Sequence, residues 1–301
     1  MAPLSEKTNP PLIVGIGEVL WDCLPSGRKL GGAPANFVYQ AHALGNEGVL
    51  ISRIGDDAEG REALSRLQNL GIDVDYVQTD ASFPTGTVDV TVDRSGEPDY
   101  VIHENVAWDN LQYLGAMDEL AQRASVVCTG SLASRSETSR RTILRFLENV
   151  PDVCIRVLDV NLRQQFYDRE IIHALLRHTE VLKLNEEELP VIAAYSAVEG
   201  DTVAQVKALR RMWGLSAVAL TRGRRGSLLC TGEAFSEYPG DHVEVVDAVG
   251  AGDAFTAALV TGLLQDEKTP DAVNAFANRV AAFVCTCQGA TPELPEELTM
   301  G

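Results

Sequence analysis

The second half of the sequence alternates short apolar runs with helical stretches, and this alternation constrains the fold more than any other feature. Four of the runs have the length of buried strands, and helical stretches lie between them. A repeated order of strand, helix and strand implies right-handed crossovers and a mainly parallel sheet that helices cover on both faces. We therefore predict an α/β fold with such a central sheet. The four predicted strands are 126–128, 155–159, 181–184 and 217–221.

The first half of the chain adds two hairpins of a different character. Residues 18–30 and 85–104 alternate polar and apolar side chains around turns at 25–27 and 94–97. Such alternation is typical of a sheet with one exposed face. We expect the two hairpins to form a small β lid within a single domain. The domain would span 1–301, and the lid would comprise about 18–33 and 84–108 of it. In the same half of the chain we predict strands at 12–17 and 48–54 and helices at 33–44 and 57–70.

The run Asp247-Ala-Val-Gly-Ala-Gly-Asp-Ala-Phe255 marks a glycine-rich turn that opens a helix. An alternating segment at 243–246 predicts a strand before the turn, and an alanine-rich run at 254–264 predicts the helix after it. The free N–H groups and the dipole of such a helix start favour an anion. The carboxylate of Asp253 would repel a phosphate unless it has a chemical task, such as taking a proton from an attacking hydroxyl. The alternative is an aspartate that only stabilises the first helical turn.

Two commoner nucleotide-binding loops do not match this turn. A P-loop needs a lysine after its glycines, and none follows here. A dinucleotide fingerprint needs a third glycine, where this chain has Phe255, and the pair Gly15 and Gly17 also lacks one. A dehydrogenase is therefore disfavoured.

Composition excludes other classes of function. The formal net charge is −18 and no basic block occurs, which argues against a nucleic-acid partner. Residues 1–11 do not resemble a signal peptide and no run of 18 apolar residues occurs, so we expect a cytoplasmic protein without a membrane partner. The six scattered cysteines show neither zinc spacing nor a disulfide framework.

Polar motifs follow the carboxyl ends of several predicted strands. They lie at 159–163, 185–188, 221–226 and 247–253. Because ligands of open α/β sheets bind beyond the carboxyl ends of the strands, we expect these motifs to form one site.

The motifs resemble those of the ribokinase-like (PfkB) sugar kinases, in the order typical of that family and over nearly the whole chain. Ala248 departs from the threonine usual in the last motif. The resemblance implies a ribokinase-like fold with a lid, and an enzyme that transfers the γ-phosphate of ATP to a sugar hydroxyl with Mg²⁺. The matching residues are Gly31-Gly-Ala-Pro-Ala-Asn36, Asp159-Val-Asn-Leu-Arg163, Asn185-Glu-Glu-Glu188, Thr221-Arg-Gly223 with Gly226, and Asp247 to Asp253.

On the catalytic side, the resemblance implies that Asp253 is the general base. The backbone N–H groups of Gly250, Ala251 and Gly252 would hold charge on the transferred group. Arg163 would pair with a phosphate oxygen, or else form a surface ion pair.

On the nucleotide side, Asn185 and Glu188 would share a helical face and organise Mg²⁺, with Glu188 acting through water. The alternative is a helix cap followed by acidic first-turn residues. Asp247 and the backbone of Val249 resemble a site for a monovalent cation such as K⁺. Thr221, Gly223 and Gly226 would form a loop on the nucleotide side, or else a tight turn without a ligand. Asn278 would lie near the adenine.

On the sugar side, Gly31, Gly32 and Asn36 would contact hydroxyls, and Asp22 would accept their hydrogens. His103 is expected to bind a sugar hydroxyl or to be structural. The second hairpin, with Glu104 and Trp108, would close over the sugar.

Among relatives the sequence looks most like the bacterial fructokinases, because of 31–36 together with 103–109. This implies D-fructose as the substrate. A 2-keto-3-deoxygluconate kinase is the nearest alternative, but its acidic substrate needs a cation where this chain has His103. Ribokinase activity, or a non-catalytic sugar- or nucleotide-binding protein on the same fold, stays open. Exposed lid edges also predict a homodimer.

Overall fold

The computed structural model describes residues 9–24, 27–92, 98–265 and 268–299. Its strands, in chain order, are β1 (Leu12–Ile16), β2 (Leu20–Leu24), β3 (Gly27–Gly31), β4 (Glu47–Gly55), β5 (Val77–Asp80), β6 (Gly86–Val92), β7 (Pro98–Ile102), β8 (Val126–Thr129), β9 (Ile155–Asp159), β10 (Val181–Asn185), β11 (Ala217–Thr221), β12 (Ser227–Thr231) and β13 (Ala234–Tyr238). Its α-helices are α1 (Ala33–Ala43), α2 (Ala58–Asn69), α3 (Ala116–Arg123), α4 (Glu137–Asn149), α5 (Arg169–Leu176), α6 (Glu188–Tyr195), α7 (Thr202–Trp213), α8 (Ala251–Leu263), α9 (Pro270–Cys285) and α10 (Glu296–Thr299).

Within the described residues the large sheet has nine strands in the order β13-β12-β11-β10-β9-β8-β1-β4-β5. Neighbours from β11 to β5 pair in parallel. At one edge β12 pairs antiparallel with both β11 and β13, so among the described strands of this sheet only β12 runs opposite to the others. The predicted α/β fold with a mainly parallel sheet is therefore confirmed, whereas β5, β12 and β13 were not predicted.

The small sheet has the order β3-β2-β6-β7 among the described strands. Each predicted hairpin forms an antiparallel pair, and the parallel pairing of β2 with β6 joins them. The two hairpins thus make one lid sheet. Residues 25–26 and 93–97, which contain most of the predicted turns, lie outside the described residues.

The core lies on both faces of the large sheet, because alternate residues of each strand point to opposite sides. Val14 and Ile16 pack in one hydrophobic cluster, and Ile13 packs in the other. In β10 the same alternation places Leu182 and Leu184 on one side and Val181 on the other. None of the helices in the described residues is both long enough and apolar enough to cross a membrane.

The predicted strand at 243–246 is wrong. This segment has no regular structure, and the N–H of Val246 donates to the carbonyl of Cys285 at 2.8 Å instead of to a neighbouring strand. The following helix, α8, begins at Ala251, three residues before the predicted start.

Candidate active site

Two adjoining cavities open beyond the carboxyl ends of the parallel strands. The first has a volume of about 620 Å³ and the second about 480 Å³, and both are lined by Asn185, Thr221 and Gly252. The first also contacts the lid through Val88 and Ile102. Of the residues proposed from the sequence, the first is further lined by Asp22, Gly31, Gly32, Asn36, Arg163, Glu188, Val249, Gly250 and Asp253, and the second by Gly223, Gly226, Ala251 and Asn278.

Asp253 lies in the first turn of α8, where the two cavities meet. Its Oδ2 accepts a hydrogen bond of 2.8 Å from Nδ2 of Asn36 on α1. Burial and the negative charge of Asp159 raise the pKa of Asp253 to about 7, against the hydrogen bond from Asn36 and the charges of Lys183 and Arg163. A carboxyl with a pKa near neutrality is suited to accept a proton from a substrate hydroxyl.

The turn before α8 depends on Gly250. This residue is the N-cap and has φ 79°, a left-handed conformation that favours glycine. A Cβ atom there would lie 2.4 Å from Cβ of Ala290, so a side chain has no room. Ala251 donates a long hydrogen bond of 3.3 Å to the carbonyl of Ala248. The turn thus starts α8 with backbone N–H groups directed towards the cavity end of the helix.

The paired glycines Gly31 and Gly32 allow two acidic residues to come close. A Cβ at Gly31 would lie 2.6 Å from Oδ2 of Asp22, and one at Gly32, where φ is 118°, would lie 2.5 Å from the carbonyl oxygen of Glu18. Burial raises the pKa of Asp22, although Arg163 and Lys29 oppose the shift. The two glycines therefore leave room for Oδ2 of Asp22 and the backbone carbonyl of Glu18, which are hydrogen-bond acceptors.

Asn185 and Glu188 are joined by reciprocal hydrogen bonds. Oδ1 of Asn185 accepts from the backbone N–H of Glu188 at 2.9 Å, and Oε2 of Glu188 accepts from the N–H of Asn185 at 2.8 Å. Oε1 of Glu188 accepts from Leu162 at 3.0 Å. The expectation that both residues share a helical face is wrong, because Asn185 ends β10 and α6 begins at Glu188. The pair makes the reciprocal hydrogen bonds of a capping box at the start of α6, which fits the helix cap left open by the sequence.

These contacts bear on how a metal ion could be held. Both oxygens of Glu188 already accept from backbone N–H groups, so the residue fits a Mg²⁺ ion through bridging water better than as a direct ligand. No group of three or more histidine, cysteine or acidic side chains that could hold a metal occurs in the described part of the chain.

The residues proposed for a monovalent cation have other contacts. Oδ1 of Asp247 accepts from the N–H of Val249 and Oδ2 from the N–H of Gly289, both at 3.1 Å. Nζ of Lys29, on lid strand β3, lies 3.4 Å from the same Oδ2. These interactions outweigh burial and lower the pKa of Asp247. A cation at Asp247 would have to share the carboxylate with this ammonium group.

The nucleotide-side residues surround the second cavity. Gly223 and Gly226 have φ of 55° and 76° in the loop between β11 and β12. Asn278, on α9, donates to Oγ of Ser227 at 2.6 Å and to the carbonyl of Asn274 at 2.7 Å. This polar cluster fixes α9 against β12 next to the cavity.

His103 lies apart from the other sugar-side residues. Its Nε2 is 2.8 Å from Oδ2 of Asp89, and neither residue is among those lining the first cavity. The alternation of β6 and β7 explains this, since the paired Val88 and Ile102 face the cavity and their neighbours face away. In this structure His103 contacts the lid rather than the sugar side of the cavity.

Two residues of the first cavity were missed from the sequence. Glu18 is buried and its Oε2 has no partner among the described residues, and burial raises its pKa to about 7. Lys183 is buried in β10 and forms an ion pair of 2.9 Å with Asp159. A charged residue inside an otherwise apolar strand was the available signal for Lys183, and a charged residue directly after the first strand was the signal for Glu18.

Comparison with known proteins agrees with this fold. The chain matches the model of the pfkB family carbohydrate kinases over residues 26–297. It is 32% identical to a fructokinase of Klebsiella pneumoniae over 298 residues, which cover 93% of this chain and 95% of that protein.

Two solved structures are similar over most of their length. A sugar kinase of Pyrococcus horikoshii in complex with ATP matches with a TM-score of 0.79 and 27% identity, over 93% of this chain and 94% of that chain. The aminoimidazole riboside kinase of Salmonella enterica, complexed with aminoimidazole riboside and an ATP analogue, matches with a TM-score of 0.78 and 25% identity, over 96% and 99%.

An α/β sheet with a small lid, and a glycine-rich helix start beside a carboxyl group, define a phosphotransferase of the ribokinase-like class. Because the family model covers most of the sequence, the chain belongs to the pfkB family of carbohydrate kinases. The resemblance inferred from the motifs is thereby confirmed.

Proposed function

We propose that this protein is a fructokinase, which transfers the γ-phosphate of ATP to a hydroxyl of D-fructose. The observation that carries the proposal is the position of Asp253, which is held by Asn36 in the first cavity, directly after Gly252, which lines both cavities. The nucleotide would occupy the second cavity, with its phosphates at the start of α8. Fructose would occupy the first cavity, beneath the lid.

In the proposed reaction Asp253 takes the proton of the sugar hydroxyl as its oxygen attacks the terminal phosphorus. The N–H groups of Gly250, Ala251 and Gly252 stabilise the negative charge on the transferred group, and Arg163, which lines the same cavity, supplies a positive charge. Glu188 would hold Mg²⁺ through water, and the ion would supply charge neutralisation for the triphosphate. Closure of the lid would exclude water from the transfer.

The charges of the first cavity support a neutral substrate. Glu18 and Asp22 line it on the sugar side. The cations Arg163 and Lys183 line it too, but Arg163 is assigned to the phosphate and Lys183 is paired with Asp159, so the two carboxyl groups would disfavour a carboxylate such as that of 2-keto-3-deoxygluconate. Lid residues Val88 and Ile102 add no cation to this wall. The similarity to aminoimidazole riboside kinase favours ribosides, with ribose itself, as the second candidate class of acceptor.

The test measures ADP release by the purified protein with Mg-ATP and a panel of acceptors. The panel contains fructose, ribose, aminoimidazole riboside, 2-keto-3-deoxygluconate, glucose and adenosine. Fructose-dependent release is expected, and preference for another acceptor would correct the substrate while keeping the reaction. Binding of ATP without turnover on any acceptor would support a non-catalytic binding protein and overturn the proposal.

Asp253→Asn is the matched variant. It keeps an acceptor for Asn36 but removes the base, so the fold should persist while kcat falls by about 10² or more. Near-native turnover of this variant would refute the role of Asp253.

A monovalent cation is proposed at Asp247 and Val249, in competition with Lys29. Turnover in potassium chloride is compared with turnover in choline chloride at equal ionic strength. Stimulation by potassium that increases in Lys29→Met would support the site, and equal rates in all cases would refute it.

A further inference from the structure

Lys183 is a buried cation in the site, and it is not among the site residues predicted from the amino-acid sequence. It lies in β10 between Leu182 and Leu184, and only 7% of it is exposed. Because these leucines point to one face of the sheet, Lys183 points to the other face, where α8 packs. Burying an ammonium group is costly unless partners compensate it, so its surroundings require an explanation.

Two contacts fix the ammonium beneath the glycine-rich turn. Nζ of Lys183 lies 2.9 Å from Oδ1 of Asp159, whose Oδ2 accepts a hydrogen bond of 2.8 Å from Oγ1 of Thr256 on α8. A Cβ atom added at Gly252 would lie 3.2 Å from the same Nζ. Strands β9 and β10 thus hold the charge directly against the first turn of α8, one residue from Asp253.

The electrostatic surroundings of Asp253 come from four elements and one loop. Asp159 and Lys183 face it from β9 and β10, Cys128 from β8, Arg163 from the loop after β9, and the amide of Asn36 from α1. Burial and Asp159 favour the protonated acid, whereas Asn36, Lys183 and Arg163 favour the carboxylate.

Lys183 itself stays charged. Burial alone would lower the pKa of its ammonium, but the carboxylates of Asp159 and Glu188 raise the pKa above its usual value.

We propose that Lys183 is a positioning residue for phosphoryl transfer, whose ammonium, fixed by Asp159 beneath Gly252, favours the carboxylate form of Asp253 against burial and the negative charge of Asp159. The proposal rests on the proposed function. In the step that it supports, the hydroxyl proton passes to Asp253, the sugar oxygen bonds to the γ-phosphorus, and the bond from that phosphorus to ADP breaks.

The experiment compares Lys183→Met with the double variant Lys183→Met/Asp159→Asn. The single variant leaves the buried charge of Asp159 uncompensated beside Asp253, which also threatens folding. The double variant removes both charges and keeps an acceptor for Thr256. Lys207→Met, which removes a lysine on α7 that stacks on Phe235, is the control.

Two readouts are used. The first is the titration of Asp253 in the ligand-free protein, followed by NMR of ¹³C-labelled aspartate and assigned by comparison with Asp253→Asn. The second is the pH profile of kcat/KM for the acceptor, whose acid limb reports the same group in the free enzyme.

Lys183→Met should raise the midpoint of Asp253 by about one unit or more, because it removes an opposite charge close to the carboxylate. At pH 7 kcat/KM should fall about fivefold or more, and the deficit should shrink at pH 9. The double variant should return the midpoint close to that of the wild type, and Lys207→Met should not move it.

An unchanged midpoint in Lys183→Met, or a loss of kcat/KM that is equal at every pH, would overturn the proposal. If Lys183→Met does not fold, a double variant with a midpoint far above that of the wild type would overturn it too. Absence of turnover in the wild type would instead count against the proposed function, because the NMR titration needs no substrate. The two failures are therefore distinguishable.

Discussion

At the scale of single residues, two buried carboxyl groups, Glu18 and Asp253, have pKa values raised to about 7. Neither group forms an ion pair with another residue that the structure describes. Asp253 has a hydrogen bond from Asn36, while Oε2 of Glu18 has no partner among the described residues. A buried carboxyl group of this kind binds a proton more tightly in the folded state than in the unfolded state.

Glu18→Gln should therefore stabilise the protein at alkaline pH. Between the ordinary value of 4.5 and about 7, the folded state of the wild type binds more protons than the unfolded state, so its stability falls as the pH rises through this window. The glutamine variant lacks this loss. Urea denaturation at pH 5 and pH 8 should show similar stabilities at pH 5 and an advantage of up to about 3 kcal/mol for Glu18→Gln at pH 8. An advantage that is equal at both pH values would contradict the assignment.

How far the sequence predicts single residues depends on where their partners lie. Asp22, Asn36 and Asp253 belong to recognisable motifs, and the structure brings them to the same cavity. Lys183 and Glu18 belong to no motif that was recognised. The charge on Lys183 is balanced by Asp159, which is 24 positions away, and nothing local in the sequence indicates that pairing.

At the scale of elements, the lid is tied to the core by Asp57. Oδ1 of this residue accepts from the N–H of Gly60 at 2.7 Å and caps α2. The same carboxylate accepts from the hydroxyl of Thr85 at 2.6 Å and from its N–H at 2.8 Å, directly before β6. One side chain thus satisfies a helix end and the beginning of a lid strand.

Asp57→Ala should destabilise the protein more than the loss of a helix cap alone. Asp201→Ala is the matched control, because Asp201 caps α7 through the N–H of Ala204 at 2.8 Å. We expect a loss of about 1 kcal/mol for the control and at least about 2 kcal/mol for Asp57→Ala. Chemical denaturation measures both, and equal losses would show that the bonds to Thr85 contribute little.

A second prediction at this scale concerns the start of α8. Gly250→Ala is compared with Gly214→Ala, since both glycines have positive φ, of 79° and 66°. An added Cβ meets nothing within 4 Å at Gly214 but lies 2.4 Å from Ala290 at Gly250. Gly214→Ala should cost about 1 kcal/mol with normal turnover, whereas Gly250→Ala should cost more and lower kcat. Normal turnover in Gly250→Ala would show that the turn tolerates displacement.

The sequence predicts the buried parallel strands better than the edge strands. Continuous apolar runs such as those of β8 and β11 indicate burial on both faces, and the structure confirms them. Alternation at 243–246 indicates only which side chains are apolar. It does not specify a pairing partner, and Val246 bonds to the end of α9 instead. Strand β12 follows the loop that contains Gly223 and Gly226. These glycines indicate a turn, but they do not indicate that the next strand pairs antiparallel with β11.

At the scale of the whole molecule, the proposed homodimer would form through the lid. Within the part of the chain that the structure describes, β3 and β7 are the edge strands of the small sheet. On β7, Tyr100 is 50% exposed and Val101 is 49% exposed. An exposed edge strand with apolar side chains can pair with the same strand of a second copy. The net charge of −18 opposes association of two copies, so a dimer needs a favourable local contact of this kind.

Val101→Lys should shift the protein from dimer to monomer, because a charge on an edge strand opposes strand pairing. Val153→Lys is the matched control, since Val153 is 88% exposed in the loop before β9, away from the lid. Sedimentation velocity over a range of protein concentrations measures the mass of each variant. The wild type and the control should be dimers where Val101→Lys is a monomer. A monomeric wild type would refute the dimer, and a dimeric Val101→Lys would move its interface away from β7.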